Sequence, residues 1–110
     1  MKYQKFMNPQ EKFWKGEFGN KYVDRNDVDM DDSYMDKFGF KRTDMNQEAI
    51  KNIPRDAKIL EIGCNVGRQL EILQKMGFTN LYGLEINEKA AGIARDREFD
   101  VTIGRAESLP

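Results

Sequence analysis

The run Lys58-Ile59-Leu60-Glu61-Ile62-Gly63-Cys64-Asn65-Val66-Gly67 constrains this chain more than any other stretch. A short apolar strand ends on an acid, a glycine-containing turn follows, and a helical pattern begins at Arg68. Open α/β sheets present a ligand in this way, at the carboxyl end of the first strand. A second apolar run, Leu81 to Glu85, ends on another acid 22 residues after Gly63, a spacing suited to a contact with ribose hydroxyls. The two acids together point to a nucleoside-containing ligand.

The periodicity after Pro54 is regular. Ala57 to Ile62 reads as a buried strand. Arg68 to Met76 reads as a helix with Leu70, Leu73 and Met76 on one face, and Gly77 as its stop. Leu81 to Glu85 is the second strand. Asn87 is placed to cap a helix whose inner face is Ala90, Ile93 and Ala94, and Asp100 to Gly104 is a third strand. Right-handed crossovers then give parallel strands ordered 3-2-1.

The preceding residues are less regular. Asn8-Pro9-Gln10-Glu11 is a helix start, with Asn8 as cap. Phe13, Trp14 and Phe18 form an apolar patch, and Gly16 and Gly19 are expected to interrupt the helix. Residues 24 to 36 carry six aspartates and read as an exposed loop, leading to a short turn around Tyr34 and Phe38 that Gly39 ends. Asp44 with Gln47 is positioned to cap a helix through Ile50 that stops before Pro54. The chain therefore divides into a helical or irregular N-terminal cap, 1–53, and an α/β unit, 54–110.

Composition removes several classes. Hydrophobic residues at 39% against 34% charged describe a globular chain. No apolar run approaches the roughly 20 residues of a membrane-spanning helix, and the N-terminus lacks the apolar core of a secretory signal. A net charge of -1, spread evenly, leaves no footprint for nucleic acid. The single cysteine, Cys64, cannot form an internal disulfide, which suits the cytoplasm. It reads as a small turn residue rather than a nucleophile, since the sequence has no histidine to activate it. Asp27-Val28-Asp29-Met30-Asp31-Asp32 has aspartates at calcium-loop spacing. However, Asp32 stands at the loop glycine and Phe38 at the closing acid, so no metal site is expected.

The glycine loop also rejects ligands. A dinucleotide fingerprint needs glycine where Asn65 and Arg68 stand. A phosphate-cradling loop fails because Arg68-Gln69 stands where Lys-Ser/Thr should close it. Asn65 tolerates a left-handed backbone and replaces the middle glycine. A carboxylate at Glu61 repels a pyrophosphate but suits an ammonium. S-adenosyl-L-methionine combines an ammonium, a ribose diol and an adenine without any phosphate.

At these residues the sequence resembles the class I S-adenosylmethionine-dependent methyltransferases. Leu60-Glu61-Ile62-Gly63-Cys64-Asn65-Val66-Gly67 is similar to their first motif, Leu84-Glu85-Ile86-Asn87 to their second, and Gly104-Arg105-Ala106-Glu107-Ser108-Leu109-Pro110 to the segment after their third strand. The lead-in from Phe13 to Asn26 resembles methylases associated with pseudaminic acid biosynthesis, a bacterial surface-sugar pathway. The fold implied is α/β, the N-terminal part of a Rossmann-like methyltransferase fold behind a mostly helical lead-in.

That resemblance implies a set of cofactor contacts. Gly63, Cys64, Asn65 and Gly67 form the turn, and Glu61 orients the methionine end. Glu85 accepts from the ribose hydroxyls, Ile86 packs on the adenine, and Ala106 approaches the adenine edge. Trp14 and Tyr22 either pack on neighbours or cap the pocket, with Tyr22 or Arg25 reaching the methionine carboxylate. Arg105 departs from the family, because many members carry there an aspartate that accepts from the adenine amine; arginine has no acceptor. Either Glu107 substitutes or that contact is missing.

The expected function is the cofactor-binding half of a methyltransferase with a small-molecule acceptor. No catalytic residue is assigned, because in this family the acceptor site comes from the fourth strand onward. The alternative is a nucleotide-binding or interaction module without chemistry. A first strand that normally pairs with a fourth would leave Ile59, Leu60 and Ile62 on an open apolar edge, and self-association or instability of the chain is then expected.

Overall fold

The computed structural model describes residues 9 to 108. Four helices come first: α1 (Pro9–Lys15), α2 (Glu17–Asn26), α3 (Met30–Phe38) and α4 (Arg42–Ile50). Then β1 (Ile59–Ile62), α5 (Arg68–Lys75), β2 (Leu81–Glu85), α6 (Glu88–Asp96) and β3 (Asp100–Ile103) alternate, and a 3-10 turn spans Ala106–Ser108. The strands are parallel with β2 in the centre, so the expected 3-2-1 order is the observed one.

The α/β unit follows its hydrophobic pattern closely. Leu70 and Leu73 of α5 pack with Phe78, Ala91, Ala94, Phe99 and Val101 in the main core. Two inward residues depart from expectation: Ile72 is buried on α5 and Ala91 on α6, while Ile93 is only half-buried. Gly77 ends α5 with a left-handed φ of 100°, a conformation that costs glycine little. Asn87 caps α6 by accepting from the Ala90 amide at 2.9 Å.

The lead-in needs three corrections. The break between α1 and α2 falls at Gly16 alone; Gly19 lies inside α2 and is buried. The aspartate-rich stretch is a helix from Met30, not a loop. Asp29 starts it by accepting from the Asp32 amide at 3.0 Å, and Gly39 closes it at a φ of 77°. Helix α4 starts at Arg42, two residues before Asp44, because the Asp44 carboxylate reaches back to the Lys41 amide at 3.3 Å. At Asp29 and Asp44 a side-chain hydrogen bond local to the turn sets the helix start. The proposed Asn8 cap lies outside the described residues.

Strand β1 lies at an edge of the described sheet, as expected. Its outward residues Leu60 and Ile62 are 46% and 62% exposed. Ile59 does not share that exposure, since it turns the other way and packs on the main core.

Candidate functional site

The turn after β1 is held by backbone bonds. The amides of Gly63 and Cys64 both donate to the Leu84 carbonyl, at 2.7 and 3.1 Å, which locks the turn to the end of β2. Gly63, Asn65 and Gly67 adopt φ values of 73°, 53° and 90°. Asn65 therefore does stand in the left-handed region, where asparagine is tolerated. At Gly67 space as well as φ demands glycine, because a Cβ there would lie 3.0 Å from the Phe99 ring.

Glu85 organises the cavity side of this turn. Oε1 accepts from the Asn65 amide and Oε2 from the Asn87 amide, both at 2.8 Å. The carboxylate is 9% exposed and cannot swing away without leaving two amides unpaired. Each oxygen keeps a second lone pair for a donor in the cavity.

A cavity of about 480 Å³ opens above Glu85. Gly63, Asn65, Glu85, Ile86 and Asn87 form its floor, and Gln10, Glu11, Trp14, Gly19, Tyr22 and Val23 its roof. The site thus lies between the α/β unit and helices α1 and α2. Trp14 and Tyr22 meet edge to face with centroids 5.1 Å apart, so they pack on each other while lining the cavity.

The roof is docked by Asn87. Its Nδ2 donates to the Trp14 carbonyl and to Asn20 Oδ1, each at 2.8 Å, while its Oδ1 caps α6. Gly19 permits this close approach. A Cβ there would lie 1.7 Å from the Trp14 carbonyl oxygen and 2.9 Å from Asn87 Nδ2. Ion pairs reinforce the junction: Lys15 with Glu88 at 3.0 Å and Lys89 with Asp24 at 2.6 Å.

Two buried acceptors at the turn have no hydrogen-bond partner among the described residues, Glu61 Oε1 and Asn65 Oδ1. Burial pushes the Glu61 carboxyl up to about 7; the Arg42 guanidinium opposes that rise and Glu85 adds to it. Burial, with Glu85 and Glu61 nearby, pushes the Cys64 thiol up to about 12. The thiol packs against Gly83 of β2, so Cys64 offers the cavity no nucleophile.

The remaining expected contacts divide. Tyr22, Gly63, Asn65, Glu85 and Ile86 meet at the cavity. Glu61, Cys64 and Gly67 belong to the strand end and turn beside it but do not line it. Ala106 and Glu107 sit on the 3-10 turn outside the lining, with Glu107 held by Arg105. The Arg25 side chain lies outside the described part of the chain. Arg68, which breaks the dinucleotide fingerprint, pairs with Asp27 at 3.0 Å, and Arg97 joins the same carboxylate at 2.9 Å. Burial alone would raise the Asp27 pKa, yet the hydrogen bonds and charges of Arg97 and Arg68 hold it below the ordinary range. Arg97 also donates to the Val66 carbonyl at 2.7 Å, fastening the end of α2 to the underside of the turn.

Sequence reasoning missed Gln10, Glu11, Gly19, Val23 and Asn87 as parts of this site. The only available signal was Gly19-Asn20 inside an otherwise helical run. A mid-helix glycine of this kind often marks a close approach.

These elements define the class by fold: an α/β chain that is the N-terminal part of a Rossmann-like methyltransferase fold with a helical lead-in. Among solved structures, the plantazolicin methyltransferase BpumL in complex with a monoazolic desmethylPZN analog and SAH is similar at a TM-score of 0.58 and 20% identity, over 92% of this chain and 40% of that one. BpumL in complex with SAH gives 0.55 and 20%, over 91% and 40%. The PH0226 protein from Pyrococcus horikoshii OT3 gives 0.50 and 18%, over 99% and 44%. At these identities the likeness is one of fold. The chain spans about 40% of the length of the methyltransferases it matches. No protein-family model matches the sequence, and no curated protein is found as a relative.

Proposed function

We propose that this chain is the S-adenosylmethionine-binding portion of a methyltransferase that acts on a small-molecule acceptor. The observation that carries the reading is the set of acceptors around one turn. Glu61 Oε1 and Asn65 Oδ1 are buried without a partner among the described residues, and Glu85 keeps lone pairs over the cavity. A ligand that matches them brings an ammonium at one end and a vicinal diol at its centre, with no phosphate. Two carboxylates and no described cation in the lining disfavour a pyrophosphate.

In this reading Glu61 and Asn65 take the methionine end, Glu85 takes the ribose hydroxyls, and Ile86 packs on the base under the roof of Trp14 and Tyr22. Gly63, Cys64 and Gly67 contribute the backbone of the turn, Ala106 and Glu107 stand toward the base, and Tyr22 or Arg25 serves the methionine carboxylate. When bound, the sulfonium supplies an activated methyl group. The residues here bind and orient it, and orientation alone can lower such a barrier by about 7–11 kcal/mol. Residues 1–53 act as the cap and 54–110 as the binding unit. The complexes of BpumL with SAH support this cofactor class. A surface-sugar acceptor and a cytoplasmic location belong to the same proposal; among the described residues no helix is long and apolar enough to cross a membrane.

Isothermal calorimetry with S-adenosylhomocysteine tests it. Saturable binding that Glu85→Ala removes, in a variant that still shows a cooperative melt, is the expected result. A folded wild-type chain that takes up no S-adenosylhomocysteine would favour the module without chemistry.

A further inference from the structure

The loop after β3 carries Arg105, which offers a ligand no acceptor. Arg105 reaches toward the cap instead. Its Nε lies 2.7 Å from Glu11 Oε2, and the two side chains are 15% and 16% exposed. Glu11 lines the cavity from α1, together with Gln10 and Trp14, and Ile86 and Glu85 belong to the opposite floor. Its position is fixed, because α1 is held through the Trp14 carbonyl by Asn87 and through Lys15 by Glu88. A carboxylate from the N-terminal helix is therefore presented, with its counter-ion, to the cavity that holds the floor residue Ile86.

We propose that Glu11, positioned by Arg105, reads the amino edge of the purine base in this cavity. The proposal rests on the nucleoside reading of the site and adds to it the residue that selects the base. Against a paired carboxylate, which only accepts, a base with an exocyclic amine gains a charge-assisted hydrogen bond. A base with a carbonyl at the same position sets lone pair against lone pair inside a partly desolvated site. Selection of this kind is large, because the mismatched group stays buried and unpaired. An amide at position 11 would remove it, since an amide turns either its oxygen or its N–H toward the base.

The ion pair could instead act only as a latch that keeps the cap closed, and the experiment separates the two. Binding of S-adenosylhomocysteine and of S-inosylhomocysteine, in which a carbonyl replaces the amine, is measured by calorimetry for the wild-type chain, Glu11→Gln and Arg105→Met. The wild type is expected to prefer the adenine ligand by about 10- to 100-fold. Glu11→Gln should weaken the adenine ligand by no more than about tenfold, through loss of charge assistance, and tighten the inosine ligand, whose carbonyl then meets an N–H, so that the preference collapses. Arg105→Met should weaken the adenine ligand in part while keeping the sign of the preference. A wild type that binds both ligands equally overturns the proposal whether or not the variants fold. Equal weakening of both ligands by Glu11→Gln also overturns it, in favour of the latch. Failure of the folded wild type to bind either ligand strikes the nucleoside reading itself.

Discussion

The side-chain amide of Asn87 donates to the Trp14 carbonyl at 2.8 Å, across 73 residues of chain. The same side chain caps α6 through its oxygen, so one residue starts a helix and docks α1 and α2 over the cavity. Asn87→Asp keeps the capping oxygen but sets a carboxylate against the Trp14 carbonyl and Asn20 Oδ1. We expect it to lower stability by about 1–3 kcal/mol. Asn87→Ala should cost about 0.5–2 kcal/mol more through loss of the cap. Urea melts of both variants decide; an Asp variant as stable as the wild type would remove the docking role.

Two glycines in helices should respond oppositely to alanine. At Gly19 the new Cβ would collide with the Trp14 carbonyl, so Gly19→Ala must displace α1 and open the cavity roof. At Gly92, inside α6, a Cβ meets nothing within 4 Å, and Gly92→Ala should stabilise the chain by about 0.5–1 kcal/mol. Thermal melts of the two variants side by side check this, and tryptophan fluorescence follows Trp14 as the roof moves.

Glu61 predicts a pH dependence with a definite sign. Its carboxyl rises on folding from 4.5 to about 7, so within that window the folded chain holds a proton that the unfolded chain has released. Stability therefore falls as pH climbs from 4.5 to 7, by on the order of 3 kcal/mol, and the loss is complete above 7. Asp27 and Asp31, whose pKa values are lowered, stay ionised throughout the window. Denaturant melts across it should slope downward for the wild type, and this component should vanish in Glu61→Gln. Two parallel slopes would refute the assignment.

The same carboxyl bears on the ligand. An ammonium pairs with the ionised form, so S-adenosylhomocysteine should bind more tightly at pH 8 than at pH 6, with proton release on binding. Calorimetry in buffers of different ionisation enthalpy measures that release directly. Binding without a proton transferred would separate Glu61 from the ammonium.

Among the described residues strand β1 lies at a sheet edge and exposes Leu60 and Ile62, an arrangement that associates with other strands. Sedimentation of the 110-residue chain should show association that grows with concentration and weakens in Ile62→Lys. A monomer at all concentrations would show that this edge is protected.

The α/β unit was legible because its signals are local. Apolar runs mark β1, β2 and β3, Gly77 and Asn87 mark helix ends, and Asn65 stands in the left-handed conformation its residue type allows. The aspartate-rich lead-in reads as a loop by charge density, yet capping makes it helical. Asp29 and Asp44 each satisfy an amide at a helix start, and such a bond outweighs the mild helix aversion of aspartate.

Glu61 and Glu85 look alike in the sequence, each an acid closing a short apolar strand, yet they differ in the fold. Two backbone amides hold Glu85, whereas Glu61 keeps a buried oxygen without a partner among the described residues. The sequence by itself determined the strand order, the turn and the two acids, because periodicity and glycine chemistry act over a few residues. Only the tertiary structure decided which acid is anchored, that Asn87 and Gly19 seat the cap, and that Glu11 and Arg105 meet at the cavity. The last two of these join residues more than sixty positions apart, and no local pattern encodes such contacts.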